Sequence, residues 1–285
     1  MACPGPRFSV VVPAFNEAAL LPACLESLAD QDFPGGYEVI VVDNNSVDQT
    51  RQIAELHGAT VIREHRAGVC WARQAGALAA VGEIIVSTDA DTTFPRGWLS
   101  RIDKTFRESP NCVAVTGPCQ FLDAPLWGRL YVWILFHAVA LVSHVAGRVV
   151  YASATNIAFL SSAFAGYDTN ATQGGDELGL LRGLRSRGVI AFDLRNPSFT
   201  SSRRLRQGLL YNVVVTFLYY YLVGYCLNRA LRRPLIGMAP AFRAESPPVV
   251  GGRRFVGFAV AGFAVVSYAA GLHWSILPSP DYDVR

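Results

Sequence analysis

The sequence predicts an α/β fold built on a mostly parallel sheet flanked by helices. Short β-branched runs alternate with helical patterns from Phe8 to Asp91. Each run ends in amides, carboxylates or arginines. The fourth run, Glu83–Ser87, leads straight into Thr88-Asp89-Ala90-Asp91. Strands joined by helical crossovers lie parallel and need helices over both faces of their sheet.

Taken in order, Phe8-Ser-Val-Val-Val-Pro13 is a strand closed by proline. A helical pattern through Leu20, Leu21, Cys24, Leu25 and Leu28 follows, with Asn16 as expected N-cap. Tyr37–Val42 is the second strand and ends at Asp43-Asn44-Asn45. Ser46-Val-Asp-Gln49 has capping-box spacing and opens the second helix, with Asp48 favourable in its first turn. Thr60–Glu64 is the third strand, and Gly68 leads into a third helix reaching Ala80. Further on, Cys112–Thr116 reads as a strand, and Leu178–Arg187 as a helix after the Gly174-Gly175 bend.

The chain has 285 residues, 51% hydrophobic and only 16% charged, with a mean hydropathy of +0.27. Soluble enzymes carry about 25% charged residues, so this chain is too apolar for an ordinary one. A net charge of +3 and the lack of a long Lys/Arg block give no nucleic-acid footprint. The six cysteines form no Cys-x-x-Cys pair. Cys24, Cys70 and Cys226 read as small buried residues in a reducing compartment. The N-terminus shows no basic stretch followed by an apolar one, so no signal peptide is expected.

In open α/β sheets, ligands bind beyond the carboxyl ends of the strands. The polar sets at those ends are Asn16 and Glu17; Asp43, Asn44 and Ser46; Arg63 to Arg66; and Asp89 and Asp91. In extended chain, side chains two apart point the same way, so Asp89 and Asp91 can converge on one ligand. Mg²⁺ is typically held by one or two carboxylates together with substrate phosphates. The first strand is followed by neither a Gly-x-Gly-x-x-Gly turn nor a P-loop, which disfavours a dinucleotide-binding domain.

An ordered series of segments resembles the family 2 glycosyltransferases of the GT-A fold. The pieces are Val11-Val-Pro13-Ala-Phe15-Asn-Glu17, Val42-Asp43-Asn44-Asn45-Ser46-Val-Asp48, Gly68-Val-Cys-Trp-Ala-Arg73-Gln-Ala-Gly76, Gly82-Glu83, Asp89-Ala90-Asp91 and Gly174-Gly-Asp176-Glu177. The resemblance covers about 8–205. It implies a nucleotide-diphosphate sugar donor and a Mg²⁺ or Mn²⁺ ion. Pro13, Phe15 and Asn45 fall in the donor motifs, Glu17 and Asp43 would face base and ribose, and Arg73 would lie near the donor. Asp89 is expected at the ribose or metal and Asp91 on the metal. The family often has Asp-Asp where this chain has Asp43-Asn44.

In the acceptor half, Ala154-Thr-Asn156 resembles the family's small-x-Asn before an apolar strand. Asp176 or Glu177 would be the general base that takes a proton from the acceptor hydroxyl. The family usually shows Glu-Asp there, whereas this chain has Asp-Glu, and position and chemical identity favour different members of the pair. Acids at a helix start also have a capping explanation. Arg203, Arg204 and Arg206 suit an anionic diphosphate, in the donor or in lipid head groups.

Phe255–Leu277 carries no Asp, Glu, Lys or Arg and is long enough to cross a bilayer; Leu209–Asn228 is a second such segment. Leu130–Gly147 is also uncharged and reads as an amphipathic or interfacial helix near the acceptor site, with a buried core helix as the alternative. Its His137 and His144 are expected to be satisfied side chains, not metal ligands. Between the two late segments lie Arg229, Arg232, Arg233, Arg243, Arg253 and Arg254 against Glu245. The positive-inside rule opposes placing that stretch outside the cell, so 209–228 either spans or lies in the interface.

These readings make 1–205 a GT-A catalytic domain, with a donor half to about 110 and an acceptor half from about 111, and 206–285 a membrane-associated region. The expected protein is a metal-dependent glycosyltransferase at the cell membrane, its catalytic domain facing the cytoplasm. It would move a sugar, with inversion, to a lipid-linked or other membrane-proximal hydroxyl, with no nucleic-acid partner. A nucleotidyltransferase and a non-catalytic membrane scaffold are the alternatives.

Overall fold

The first apolar run folds as β1 (Phe8–Ala14), and all seven of its residues are buried. A strand buried on both faces belongs at the centre of a sheet, and β1 sits there between β2 (Tyr37–Asp43) and β4 (Ile84–Ser87), parallel to both. Beyond β2 lies β3 (Thr60–Arg63), also parallel. These data come from a computed structural model, which describes residues 5–169 and 176–212 together with Val214, Tyr219 and Val223. The chain divides into two compact units, Met1–Pro248 and Val249–Arg285, and the second lies wholly outside the described residues.

Helices cross between the parallel strands as expected. α1 (Leu21–Ala29) starts with proline in its first turn and buries Leu21, Cys24, Leu25 and Leu28. That i, i+3, i+4, i+7 stripe packs on one face of the sheet. α2 (Thr50–Leu56) follows β2, and α3 (Val69–Ala79) packs on the opposite face. Gly76 makes the α3 contact possible, because a Cβ there would overlap Val11 Cγ1 and come within 2.9 Å of Val42 Cγ2.

The rest of the chain extends the sheet with a change of direction. Next come β5 (Thr92–Thr93), α4 (Trp98–Glu108), β6 (Cys112–Thr116), β7 (Cys119–Leu122) and α5 (Leu126–Ala146). After them come β8 (Ile157–Leu160), α6 (Asp176–Arg185), β9 (Val189–Phe192) and β10 (Ser198–Ser201). The large sheet has the order β3-β2-β1-β4-β8-β6-β9, with β8 antiparallel to both its neighbours. A small sheet, β5-β10-β7, stands beyond the end of β4. This is the mostly parallel α/β architecture that the sequence predicts.

Several local expectations are corrected. α1 begins at Leu21, with Leu20 and not Asn16 at its N-cap. Asn16 takes a left-handed φ of +53°, which amides tolerate, and is used in a loop. α2 begins at Thr50, so Ser46 forms no capping box. Asp48 precedes the helix and accepts hydrogen bonds from Thr50 N and Oγ1. The 130–147 segment is not a core helix. α5 buries only Gly128, Val132, Phe136, Val139 and Ser143, and ends at Gly147 with φ +61°. Among the described residues it is the one helix long and apolar enough to cross a membrane. Segment 255–277, most of 209–228 and the Gly174-Gly175 bend lie outside the described residues.

Candidate active site

Two loops at the carboxyl ends of β1 and β2 are laced together. Asn16 N donates to Ser46 Oγ (3.0 Å) and Val47 N donates back to Asn16 Oδ1 (2.9 Å). Glu17 N donates to Thr50 Oγ1 (2.8 Å) and Ala18 N to Asp48 Oδ2 (3.2 Å). Asp43, itself buried, accepts from Ser46 N (2.9 Å). The lacing uses up the short polar side chains that the sequence suggests as helix caps.

Asn44 secures the third loop. Its Nδ2 donates to the carbonyls of Glu64 and Arg66, both at 2.8 Å, and its Oδ1 accepts from Gly68 N at 2.8 Å. A carboxylate has no hydrogen to donate to two carbonyls. That is a physical reason for asparagine where the resembled family often has aspartate.

The charged groups meet at the end of β4. Arg73, only 4% exposed, donates to Asp89 Oδ1 at 2.8 Å; it is not the helix-surface arginine that its position in α3 could suggest. Arg203 forks onto Glu17, with Nη1 to Oε2 at 2.8 Å and Nη2 to Oε1 at 2.7 Å. The same guanidinium reaches Asp91 Oδ2 at 2.8 Å. Thr200 Oγ1 donates to the other oxygen of Asp91 at 3.2 Å. Among the described residues, Glu17, Asp89 and Asp91 thus meet Arg73 and Arg203 in one cluster. Burial, then the neighbouring Asp89, push the Asp91 carboxyl up to about 6. Burial likewise raises the thiol of Cys24, which faces the Asp89 carbonyl at 3.7 Å.

Asp89 and Asp91 offer hard oxygen ligands of the kind a small divalent cation takes. Among the described residues no set of three His, Cys, Asp or Glu side chains forms a metal cage. Each of the two carboxylates is engaged by an arginine, and a cation held by them would need substrate phosphate and water for the rest of its shell.

The other expected site residues are spread more widely. Pro13 is buried inside β1, opposite Val42. Phe15 is exposed just past β1. Asn45 is exposed at a φ of +70° and donates to the His65 carbonyl. Arg204 is exposed, and its carbonyl accepts from Asn212 Nδ2. Glu177 is half-buried in the first turn of α6. Asp176 opens that helix, and its side chain falls outside the described residues. His137 Nδ1 contacts the Trp133 carbonyl in its own helix, as a satisfied side chain does.

Sequence reasoning missed Thr200, whose signal is the short Ser198-Phe-Thr-Ser201 run that forms β10. It also missed the extent of the Asn156 network. Asn156 accepts from Trp98 Nε1 (3.1 Å) and donates to the carbonyls of Pro118 (2.9 Å) and Asn196 (2.8 Å). These bonds join α4, the turn after β6 and the segment before β10.

The family model described as Glycosyl transferase family 2 matches residues 9–168, more than half of the chain. The chain belongs to glycosyltransferase family 2. Within the family it is 42% identical over 98 residues to an uncharacterized glycosyltransferase of Mycobacterium tuberculosis, covering 34% of this chain and 43% of that one. The chain thus spans less than half the length of this relative. Its fold matches S. aureus TarS in complex with UDP-GlcNAc, with TM-score 0.55 and 20% identity over 69% of this chain and 59% of TarS. It also matches the mannosyltransferase PcManGT of Pyrobaculum calidifontis in complex with GDP-Man and Mn²⁺. There the TM-score is 0.54 and the identity 24%, over 71% of this chain and 60% of PcManGT. These likenesses make the fold GT-A.

Proposed function

We propose that this family 2 protein transfers a sugar from a nucleotide-diphosphate donor to an acceptor hydroxyl, with inversion. The observation that carries the reading is the charge cluster at the end of β4, where Asp89, Asp91 and Glu17 share Arg73 and Arg203. Residues 1–205 form the catalytic domain in this reading. Asp89 and Asp91 would hold Mg²⁺ or Mn²⁺, which supplies positive charge to the departing diphosphate.

On donor binding Arg203 would turn its fork from Glu17 and Asp91 to the diphosphate, while Arg73 holds Asp89 in place through its hydrogen bond. Asp43 and Glu17, with Pro13, Phe15 and Asn45, border the nucleoside end, while Arg204 adds positive charge near the phosphates. Asp176 or Glu177 takes the proton from the acceptor oxygen as that oxygen attacks the anomeric carbon. The C–O bond to the diphosphate breaks on the opposite face, which inverts the centre. The donor class is the one found with the fold neighbours TarS and PcManGT.

The apolar composition and the segments 209–228 and 255–277 support attachment to the cytoplasmic face of a cell membrane, with a lipid-linked acceptor. A screen of UDP-, GDP- and dTDP-sugars with Mn²⁺ on detergent-solubilised full-length protein tests the reading. Metal-dependent donor hydrolysis or transfer, lost in Asp91→Ala, is expected. Normal turnover in Asp91→Ala, or no donor binding at all, would overturn it.

A further inference from the structure

α5 breaks the rule that an exposed helix face is polar. Its buried residues occupy a single narrow arc. The opposite arc exposes Leu126, Leu130, Tyr131, Trp133, Val142 and Val145, with Leu126 and Val145 about three-quarters exposed. The helix carries no acid and no lysine, and Arg129 is its one formal charge apart from the histidines. A water-facing surface of this size and composition marks a contact with something apolar.

The carboxyl end of the same helix is basic. Arg148 follows the Gly147 cap, and Arg182 and Arg185 stand in the last turn of α6. The three lie close enough that Arg148 and Arg182, after burial, depress the Arg185 guanidinium. Arg185 donates to the Val149 carbonyl, which fixes it beside Arg148. Among the described residues none of the three forms an ion pair with a carboxylate. Beside Arg148 a cavity of about 300 Å³ opens, with His144 and Arg148 among its polar lining and Ile190, Phe192 and Leu194 among its apolar lining.

We infer that α5 lies in the interface of an anionic phospholipid bilayer. Its apolar arc sinks among the acyl chains, and Arg148, Arg182 and Arg185 take the headgroup phosphates. Charge complementarity selects this occupant. A second copy of the chain would bring three more arginines to the same surface, whereas an anionic leaflet supplies phosphate to them and hydrocarbon to the arc. The inference rests on the membrane attachment proposed above and not on the catalytic reading.

The test reconstitutes the full chain, with Cys3→Ser and Cys226→Ser, and labels Val142→Cys or Val145→Cys with a fluorophore. The four remaining native cysteines are buried. Val47→Cys, in a loop beside the strand ends, is the water-exposed control. Vesicles are phosphatidylcholine with or without phosphatidylglycerol, and quenching by spin-labelled lipid is read after flotation. Each arginine near an anionic surface contributes about fivefold to its occupancy. Quenching at both α5 positions is expected with phosphatidylglycerol. Membrane occupancy of the arc should fall about 100-fold without it and about 25-fold in Arg148→Gln/Arg182→Gln, whose fold is checked by circular dichroism.

Protein that floats while both α5 probes remain as open to water as the control overturns the inference and leaves the attachment reading standing. Failure to float overturns both. Quenching indifferent to phosphatidylglycerol or to the arginines overturns it. So does shielding of the probes in detergent together with crosslinks to a second copy or to 209–228, which would show that protein covers the arc. The same labels on Asp91→Ala should behave alike, because docking does not need catalysis.

Discussion

Asp91→Asn should make the ligand-free protein more stable at neutral pH while removing its response to metal. Burial and the charge of Asp89 raise the Asp91 carboxyl from 3.8 to about 6. Because the folded value lies above the unfolded one, the stabilisation is fully present below about pH 4 and is lost as pH rises through about 6. Holding that carboxylate ionised therefore costs the fold about 3 kcal/mol near pH 7.5. Its side chain is 13% exposed, and solvent access trims the figure to about 2 kcal/mol. Asparagine keeps its one oxygen for Arg203, turns its amide to the Thr200 hydroxyl, which can accept, and removes the charge. The thermal midpoint of detergent-solubilised Asp91→Asn should exceed that of the native chain by about 4–8 °C near pH 7.5 and match it near pH 4. Mn²⁺ should raise the native midpoint and leave the variant unmoved. A variant melting at or below the native protein near pH 7.5, or an equal gap at both pH values, would refute the electrostatic argument.

Arg203→Ala leaves buried Glu17 and Asp91 without their shared partner, and should cost about 3–5 kcal/mol by thermal or denaturant melting. Arg203→Lys should recover less than half of that, since an ammonium cannot fork onto Glu17 and reach Asp91 together. Asn44→Asp removes the two donors that hold the Glu64 and Arg66 carbonyls, for a loss of about 2–3 kcal/mol on the same assay. Between Asp176→Asn and Glu177→Gln, the variant that removes the base should lower kcat by about 100-fold or more with donor KM unchanged. Equal, mild effects from both would place the base elsewhere.

The parallel half of the sheet was readable because β1, β2 and β3 are each a short apolar run with a helical pattern after it, and β4 is an apolar run ended by acids. The Asp89–Asp91 pair was readable because it interrupts one such run at its end. What the pair touches was not. Arg203 lies 186 positions from Glu17, and local periodicity says nothing about partners at that distance. Nor do four-residue strands announce direction: Ile157–Leu160 gives no sign that it enters antiparallel between β4 and β6. Asn16, Ser46 and Asp48 misled for a common reason. Short polar side chains suit helix caps and loop-to-loop bonds equally, and only the packed loops decide between the two uses.

Ser201 N donates to the Asp91 carbonyl at 3.0 Å, and Thr200 pairs with Thr92 across the small sheet. The main chain bearing the acid and the main chain delivering its arginine are thus stitched into one ribbon, although they are 109 positions apart for the Thr200–Asp91 bond. Neither can travel without the other. In the proposed reading, room for a nucleotide at this point comes from the Arg203 guanidinium leaving Glu17 and Asp91, not from separation of the two backbones.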